Sequence, residues 1–126
     1  MKVLTDTHTL VWALTGSEPL GAAAHAALAH SPFTASVANL WELVLKSRKP
    51  GALVADPLPW WEKYVVAPRI PTLAIRTRHI QKLARLPELH KDPFDRILVA
   101  QALAEGMTLA TKDALLARYG APVVWE

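Results

Sequence analysis

Short apolar runs alternate with longer amphipathic segments from one end of the chain to the other. Apolar runs this short, bounded by turn-forming residues, are typical of buried strands. The predicted strands are Met1–Thr5, Phe33–Ala35, Thr72–Ile75, Thr108–Ala110 and Val123–Trp125.

The segments between these runs have the composition and the end signals of helices. Ser17-Glu18-Pro19 is expected to open an alanine-rich helix, with Pro19 in its first turn. Ser36 can cap the next helix, and Gly106 is placed to close the clearest one, Pro93–Glu105. The predicted helices are Thr9–Leu14, 17–30, 36–48, a segment from Asp56 through Trp60-Trp61, Thr77–Arg85, Pro93–Glu105 and Asp113–Tyr119.

This alternation of strands and helices predicts the fold class. Short, wholly apolar strands separated by helices are typical of a mostly parallel sheet that is covered on both faces. We therefore expect an α/β protein with a short, mostly parallel central sheet flanked by helices. No repeat and no long linker divides the chain, so residues 1–126 are expected to form one domain.

Composition narrows the classes of protein further. The chain has 126 residues and no cysteine, which excludes disulfides, cysteine nucleophiles and thiolate metal sites. No apolar run reaches the ~18–20 residues that span a membrane. Asp6 also falls too early for the apolar core of a signal peptide. We expect a cytoplasmic protein that does not contact a membrane.

Acidic residues stand where several of the predicted strands end or helices begin. Asp6 follows the first strand, Asp113 follows the strand 108–110, and Asp95 lies in the first turn of a helix. The carboxyl ends of parallel strands meet at one edge of the sheet, so these three acids should converge. Glu42 lies about two turns into its helix and could reach the same edge from the side.

Each acid also has a purely structural interpretation. Asp92 precedes Pro93 as an N-cap would, and Asp6 and Asp113 are placed to cap the helices that follow them. Glu42 could form an i,i+4 ion pair with Lys46, or simply face water.

Clustered carboxylates need a cation, because like charges at short range repel and raise one another's pKa values. Mg²⁺ and Mn²⁺ prefer oxygen ligands and often bind substrate phosphates as well. The net charge of the chain is +3, and setting the four acids aside leaves 14 basic against seven acidic residues. An acidic pocket in a basic surface suits a polyanionic substrate.

Four stretches together resemble the PIN-domain ribonucleases, specifically the VapC-type toxins of prokaryotic toxin–antitoxin pairs. They occur in the same order as in that family and cover nearly the whole chain: "TDTHTLVWAL", "SVANLWELVLK", "DPFDRILVAQALAEGMTLATKD" and the closing "VVW". The stretches "DTHTLVWAL" and "DPFDRILVAQA" are the more specific ones.

The resemblance implies a catalytic and metal-binding quartet of acids. Asp92 is an additional acid found in the "DPFDR" version of the family's motif, where it is expected to be either a further ligand or only a helix cap. Thr7 or Thr111 could support the site through a hydroxyl group. His8 stands where many relatives have Asn. The quartet falls on Asp6, Glu42, Asp95 and Asp113.

The resemblance also implies a reaction and partners. The reaction is Mg²⁺- or Mn²⁺-dependent RNA hydrolysis that leaves a 5′-phosphate and a 3′-hydroxyl. The expected partners are a second copy of the chain, in a homodimer, and a VapB-type antitoxin whose tail inserts near the acids. DNA would be reached only through the antitoxin. The alternatives are a housekeeping PIN nuclease without an antitoxin and an inactive module that binds RNA or protein.

A phosphatase of the haloacid dehalogenase type is a further alternative, because "TDTHT" follows the first strand. That family needs a second Asp two residues after the first, and this position is His8 here.

Basic and aromatic residues supply further candidates. Arg78, Lys82 and Arg85 share one helical face, and with Arg96 they are predicted to bind the RNA backbone, or else to form a solvated surface.

Trp12, Trp41 and Trp125 are expected in the core. One of the adjacent Trp60 and Trp61 is expected to line a groove for an antitoxin helix, stack on a base, or sit at the edge of the core.

Overall fold

A five-stranded parallel sheet forms the centre of the computed structural model, which describes residues 1–126. The strand order is β3-β2-β1-β4-β5, and every neighbouring pair is parallel. The predicted α/β class with a parallel sheet is confirmed. The strands are β1 (Val3–Thr5), β2 (Phe33–Ser36), β3 (Thr72–Leu73), β4 (Thr108–Ala110) and β5 (Val123–Val124).

Helices connect consecutive strands, as parallel pairing requires. A 3₁₀-helix, Ala114–Tyr119, stands where the sequence predicted a last helix. No helix is long and apolar enough to cross a membrane. The α-helices are α1 (Thr7–Thr15), α2 (Ala22–His30), α3 (Val37–Lys46), α4 (Pro57–Trp61, continued by a π-helical turn, Glu62–Val66), α5 (Thr77–Ala84) and α6 (Pro93–Glu105).

The middle strand, β1, is buried along its whole length, as expected for a strand covered on both faces. It pairs with β2 on one side and with β4 on the other. Two apolar clusters complete the core. One joins Leu4 to α6 and the 3₁₀-helix, and the other joins α1, α3 and α4. The sheet therefore places the carboxyl ends of β1 and β4 side by side between packed helices.

Several boundaries differ from those predicted. Helix α1 begins at Thr7, two residues earlier than expected, because Asp6 caps it. Helix α2 begins only at Ala22, so the predicted start at Ser17-Glu18-Pro19 is wrong. Its N-cap, Gly21, lies against Trp125, and a Cβ there would overlap the Trp125 carbonyl oxygen. Long-range packing thus sets where α2 starts.

The tryptophans divide between the core and the surface. Trp61 is buried and Trp60 stacks on Tyr64 at the edge of the core. Trp12 and Trp125 are half-buried and pack against each other. The prediction that Trp41 is a core residue is wrong, because its side chain is 54% exposed.

A buried polar network ties α3 and α5 to α6. The Ser36 hydroxyl, which caps α3, donates to Gln101 Oε1 at 2.6 Å, and Gln101 Nε2 donates to the Ala74 carbonyl at 3.2 Å. His79 is fully buried, and its Nε2 lies 2.8 Å from Glu105 Oε2. This network fixes the start of α3, the helix that carries Glu42.

We expect Gln101→Leu to lower the free energy of unfolding by about 1–3 kcal/mol, because Ser36 and the Ala74 carbonyl would stay buried without their partner. Urea denaturation would measure the change. Gln81→Leu makes the same substitution on the exposed face of α5 and is the matched control. Equal effects of the two substitutions would contradict a stabilising role for the network.

Candidate active site

Acidic side chains meet in one open cavity of about 380 Å³ at the carboxyl ends of β1 and β4. All four acids of the predicted quartet line it, together with Asp92. The complete lining is Asp6, His8, Trp12, Glu42, Lys46, Asp92, Asp95, Lys112 and Asp113.

Asp6 forms the floor of the cavity, directly after β1. One carboxylate oxygen caps α1 by accepting from the Thr9 amide at 2.9 Å, and the other accepts from the Thr111 hydroxyl at 2.6 Å. Burial raises the pKa of Asp6, although hydrogen bonds from Thr111 and Thr9 oppose that effect. Asp6 is therefore held rigidly at a place where its negative charge is costly.

Glu42 reaches the cavity from α3 and is only 5% exposed, so the alternative that it faces water is wrong. Its Oε1 accepts from the Thr7 hydroxyl at 2.6 Å, and its Oε2 pairs with Lys46 Nζ at 2.6 Å. Asn39 in turn donates to the Thr7 hydroxyl at 3.1 Å. The i,i+4 ion pair thus forms, and it forms inside the acidic cavity rather than in solvent.

Asp92 and Asp95 open helix α6. Asp92 is the N-cap, and its Oδ1 accepts from the amides of Phe94 and Asp95. Burial and the negative charges of Asp92, Asp6 and Glu42 raise the pKa of Asp95 to about 7. The ionised form of Asp95 is thus disfavoured by its burial and by its acidic neighbours.

Lys46 is the cation closest to these acids. Its Nζ lies 3.8 Å from Asp92 Oδ2 in addition to its contact with Glu42. Burial lowers the pKa of Lys46, but the hydrogen bond to Glu42 and the charges of Glu42, Asp92 and Asp95 outweigh that effect and raise it. One lysine offsets part of the negative charge of five carboxylates.

Asp113 completes the cluster on the side of β4. Its Oδ1 caps the 3₁₀-helix through the Leu115 amide at 3.0 Å, and its Oδ2 lies 2.9 Å from His90 Nε2. His90 Nε2 is also 3.5 Å from Asp95 Oδ2. One polar atom from each of His90, Asp95 and Asp113 falls within 4.8 Å of the others.

The sequence did not single out His90 as part of this site. The five histidines are scattered along the sequence without the spacing of metal ligands, so the pattern does not point to His90. The only signal was its position two residues before Asp92. Its contact with Asp113 depends on the conformation of the loop between α5 and α6.

The four predicted RNA-binding residues lie in different parts of the structure. Arg78 binds Glu105 at the carboxyl end of α6, about 15 Å from Asp95 along the helix axis. Lys82 lies in the last turn of α5 and Arg85 directly follows that helix, and both are exposed. Arg96 donates to the Pro87 carbonyl at 2.8 Å and to the Tyr119 hydroxyl at 3.3 Å. RNA binding by these residues stays a prediction.

The donor set of the cavity fits a hard divalent cation. Every quartet member offers carboxylate oxygens, which Mg²⁺ and Mn²⁺ prefer. Burial raises the pKa of both Asp6 and Asp95, and the charges of neighbouring acids raise that of Asp95 further. A bound cation would lower both pKa values, since positive charge favours the ionised form. The residues placed to hold it are Asp6, Glu42, Asp95 and Asp113, with Asp92 beside them.

Comparisons with known proteins identify the family and the fold. The sequence pattern of the PIN domain matches residues 3–122. Ribonuclease VapC22 of Mycobacterium tuberculosis is 31% identical over 128 residues, which cover 98% of each chain. The DNA-bound VapBC of Salmonella typhimurium is similar in fold, with a TM-score of 0.72 and 19% identity over 98% of this chain and 97% of that one.

A second solved structure, the sarcin-ricin loop cleaving toxin VapC20 of Mycobacterium tuberculosis, has a TM-score of 0.65. Its sequence is 17% identical over 98% of this chain and 99% of that chain. At identities below 20%, the two solved structures show only that this chain has the same fold. The 31% identity to VapC22 shows that the chain belongs to the same family.

We expect Asp95→Asn to stabilise the protein when divalent metal is absent. The pKa of Asp95 rises from 3.8 to about 7 on folding, so ionising this group costs the folded state free energy. The cost is absent below about pH 4, grows between pH 4 and 7, and is complete above pH 7. At about 1.36 kcal/mol per pKa unit, the variant gains up to about 4 kcal/mol at pH 8.

Urea denaturation in EDTA at pH 5 and pH 8 would measure this gain. The advantage of Asp95→Asn should be larger at pH 8. Asp56→Asn removes an exposed acid outside the cavity and is the control. An advantage that does not change with pH would show that Asp95 does not titrate in this range.

Proposed function

The chain belongs to the PIN-domain family and is of the VapC type, and we propose on this basis that it is a Mg²⁺- or Mn²⁺-dependent endoribonuclease. The observation that carries this proposal is the convergence of Asp6, Glu42, Asp95 and Asp113 on one cavity. Carboxylates gathered at this density are unfavourable without a cation.

The acids and two threonines have distinct tasks in the proposed reaction. Asp6, Asp95, Asp113 and Glu42, which line the cavity, would hold the cation. A bound divalent cation supplies positive charge beside the scissile phosphate and lowers the pKa of the attacking water. Thr7 and Thr111 keep the carboxylates of Glu42 and Asp6 in place through their hydroxyl groups.

The proposed biological role is that of the toxin in a VapBC-type pair. VapC22 carries the name of a ribonuclease, and solved complexes named VapBC share the fold. We therefore propose RNA as the substrate and a VapB-type antitoxin as a partner, with DNA contacted only through that partner. The proposed location is the cytoplasm.

The test of the proposed function is RNA cleavage by purified protein free of any antitoxin. The substrate is a mixed pool of structured RNAs with Mg²⁺ or Mn²⁺, and the controls are EDTA and Asp6→Asn. Discrete cuts that vanish in both controls support a metal-dependent ribonuclease. No cuts and no metal binding by calorimetry would favour the inactive binding module. Cleavage by a chain whose gene has no antitoxin gene beside it would favour a housekeeping nuclease.

Asp95→Asn and Asp92→Asn are expected to differ in cleavage. Asp95→Asn should abolish turnover, because it removes a carboxylate from the proposed metal site. Asp92→Asn should retain the cap and much of the activity, since Asn caps helices as well as Asp does. Initial rates under saturating Mn²⁺ would measure both, with Asp56→Asn as the control. Equal losses would show that Asp92 is a ligand.

An exposed apolar face on α3 supports the proposed homodimer. Val37, Trp41, Val44 and Leu45 are 37%, 54%, 46% and 60% exposed. Their spacing places them along one side of the helix, adjacent to the active site through the edge-on contact of Trp41 with Phe94. A grouped apolar surface of this kind is typical of a protein–protein interface.

Leu45→Glu should therefore weaken dimerisation about tenfold or more, the equivalent of at least about 1.4 kcal/mol. Sedimentation equilibrium over a range of concentrations would measure the dimer Kd. Ile80→Glu introduces the same charge at an exposed apolar residue on α5 and is the matched control. A wild-type monomer, or a dimer that Leu45→Glu does not weaken, would contradict this interface.

A further inference from the structure

His90 is a fixed part of the loop between α5 and α6. Its backbone amide donates to the Tyr119 hydroxyl at 2.8 Å. Arg96 donates to the same hydroxyl and to the Pro87 carbonyl, three residues before His90. The loop is thus anchored from two sides, and the imidazole stands between Asp95 and Asp113.

The hydrogen bonds of the ring assign its tautomer. His90 Nδ1 accepts from the Asp92 amide at 3.0 Å, so Nδ1 carries a lone pair and no hydrogen. In a neutral imidazole the hydrogen then lies on Nε2. That hydrogen points to Asp113 Oδ2 at 2.9 Å, with Asp95 Oδ2 as a second, more distant acceptor.

This tautomer is the wrong one for a metal ligand. A metal bound at Nε2 needs the lone pair there, which moves the hydrogen to Nδ1. Two N–H groups, one from the ring and one from Asp92, would then face each other. In addition, His90 does not line the acidic cavity but a neighbouring groove, with Lys91 and Arg96. The ring therefore stands behind the acids.

We propose that His90 is a positioning residue whose Nε2–H holds Asp113, and with it Asp95, in the arrangement that binds the divalent cation. This inference rests on the proposed metal-dependent function. A hydrogen bond to a ligating carboxylate fixes its orientation, and the loss of such a bond typically costs about 10–100-fold in metal affinity. His90 does not touch the substrate or the cation.

Two substitutions separate the two nitrogen atoms of His90. In His90→Asn, the side-chain oxygen can still accept from the Asp92 amide, but no donor reaches Asp113. In His90→Gln, the amide nitrogen can reach Asp113, but the acceptor for Asp92 is displaced. His25→Asn, on the exposed side of α2, is the control.

Calorimetric titration with Mn²⁺ would measure the affinity of each variant, and urea denaturation in EDTA would measure its stability. We expect His90→Asn to weaken Mn²⁺ binding about 10–100-fold while the protein stays folded. His90→Gln should stay within a few-fold of wild type, as should His25→Asn. Nitrogen-15 NMR should find the hydrogen on Nε2 both before and after Mg²⁺ is added.

The outcomes distinguish this inference from the function on which it rests. Wild-type protein that binds no Mn²⁺ would overturn both. Mn²⁺ binding by the wild type and equally by His90→Asn would overturn the positioning role alone. Loss of the Nε2 hydrogen when Mg²⁺ is added would make His90 a ligand and overturn its role as a donor. This measurement uses the wild-type protein, so it remains decisive even if a variant fails to fold.

Discussion

Repulsion among carboxylates held at one end of a parallel sheet is the constraint on which the rest of the site depends. The protein tolerates it by giving almost every acid dedicated donors. Asp95 is the exception, since the nearest donor to its carboxylate is His90 Nε2 at 3.5 Å, while burial and the charges of Asp92, Asp6 and Glu42 raise its pKa to about 7. The paired acids are Asp6 with Thr9 and Thr111, Glu42 with Thr7 and Lys46, and Asp113 with Leu115 and His90.

Helix capping and site formation turn out to be compatible uses of the same residues. Asp6, Asp92 and Asp113 each direct one carboxylate oxygen to a backbone amide at a helix start. The second oxygen of each is turned to a side chain at the site: Thr111, Lys46 and His90, respectively. The cap fixes the side-chain torsions of each acid, so the second oxygen is positioned at no further conformational cost. The structural and functional interpretations of these acids were therefore not alternatives.

The parts of the molecule that the sequence predicted are those set by local pattern. Strand and helix alternation follows from short-range periodicity, and the convergence of Asp6 with Asp113 follows from parallel pairing alone. The parts it missed depend on distant contacts. The start of α2 is set by Trp125 against Gly21, and the position of His90 is set by Tyr119. Trp41 was misplaced because α3 buries its polar residues Asn39 and Glu42 at the site and exposes an apolar side that includes Trp41, which reverses the usual relation of polarity to burial.

Charge distribution also indicates why the proposed reaction would need a cation. The cavity carries five carboxylates against Lys46 and Lys112, so its own field repels a polyanion. A divalent cation held by Asp6, Glu42, Asp95 and Asp113 would offset part of that field. Arg78 is paired with Glu105 at the far end of α6, so part of its charge is already offset there. In the proposed function, the acid cluster without a cation would therefore oppose the binding of RNA.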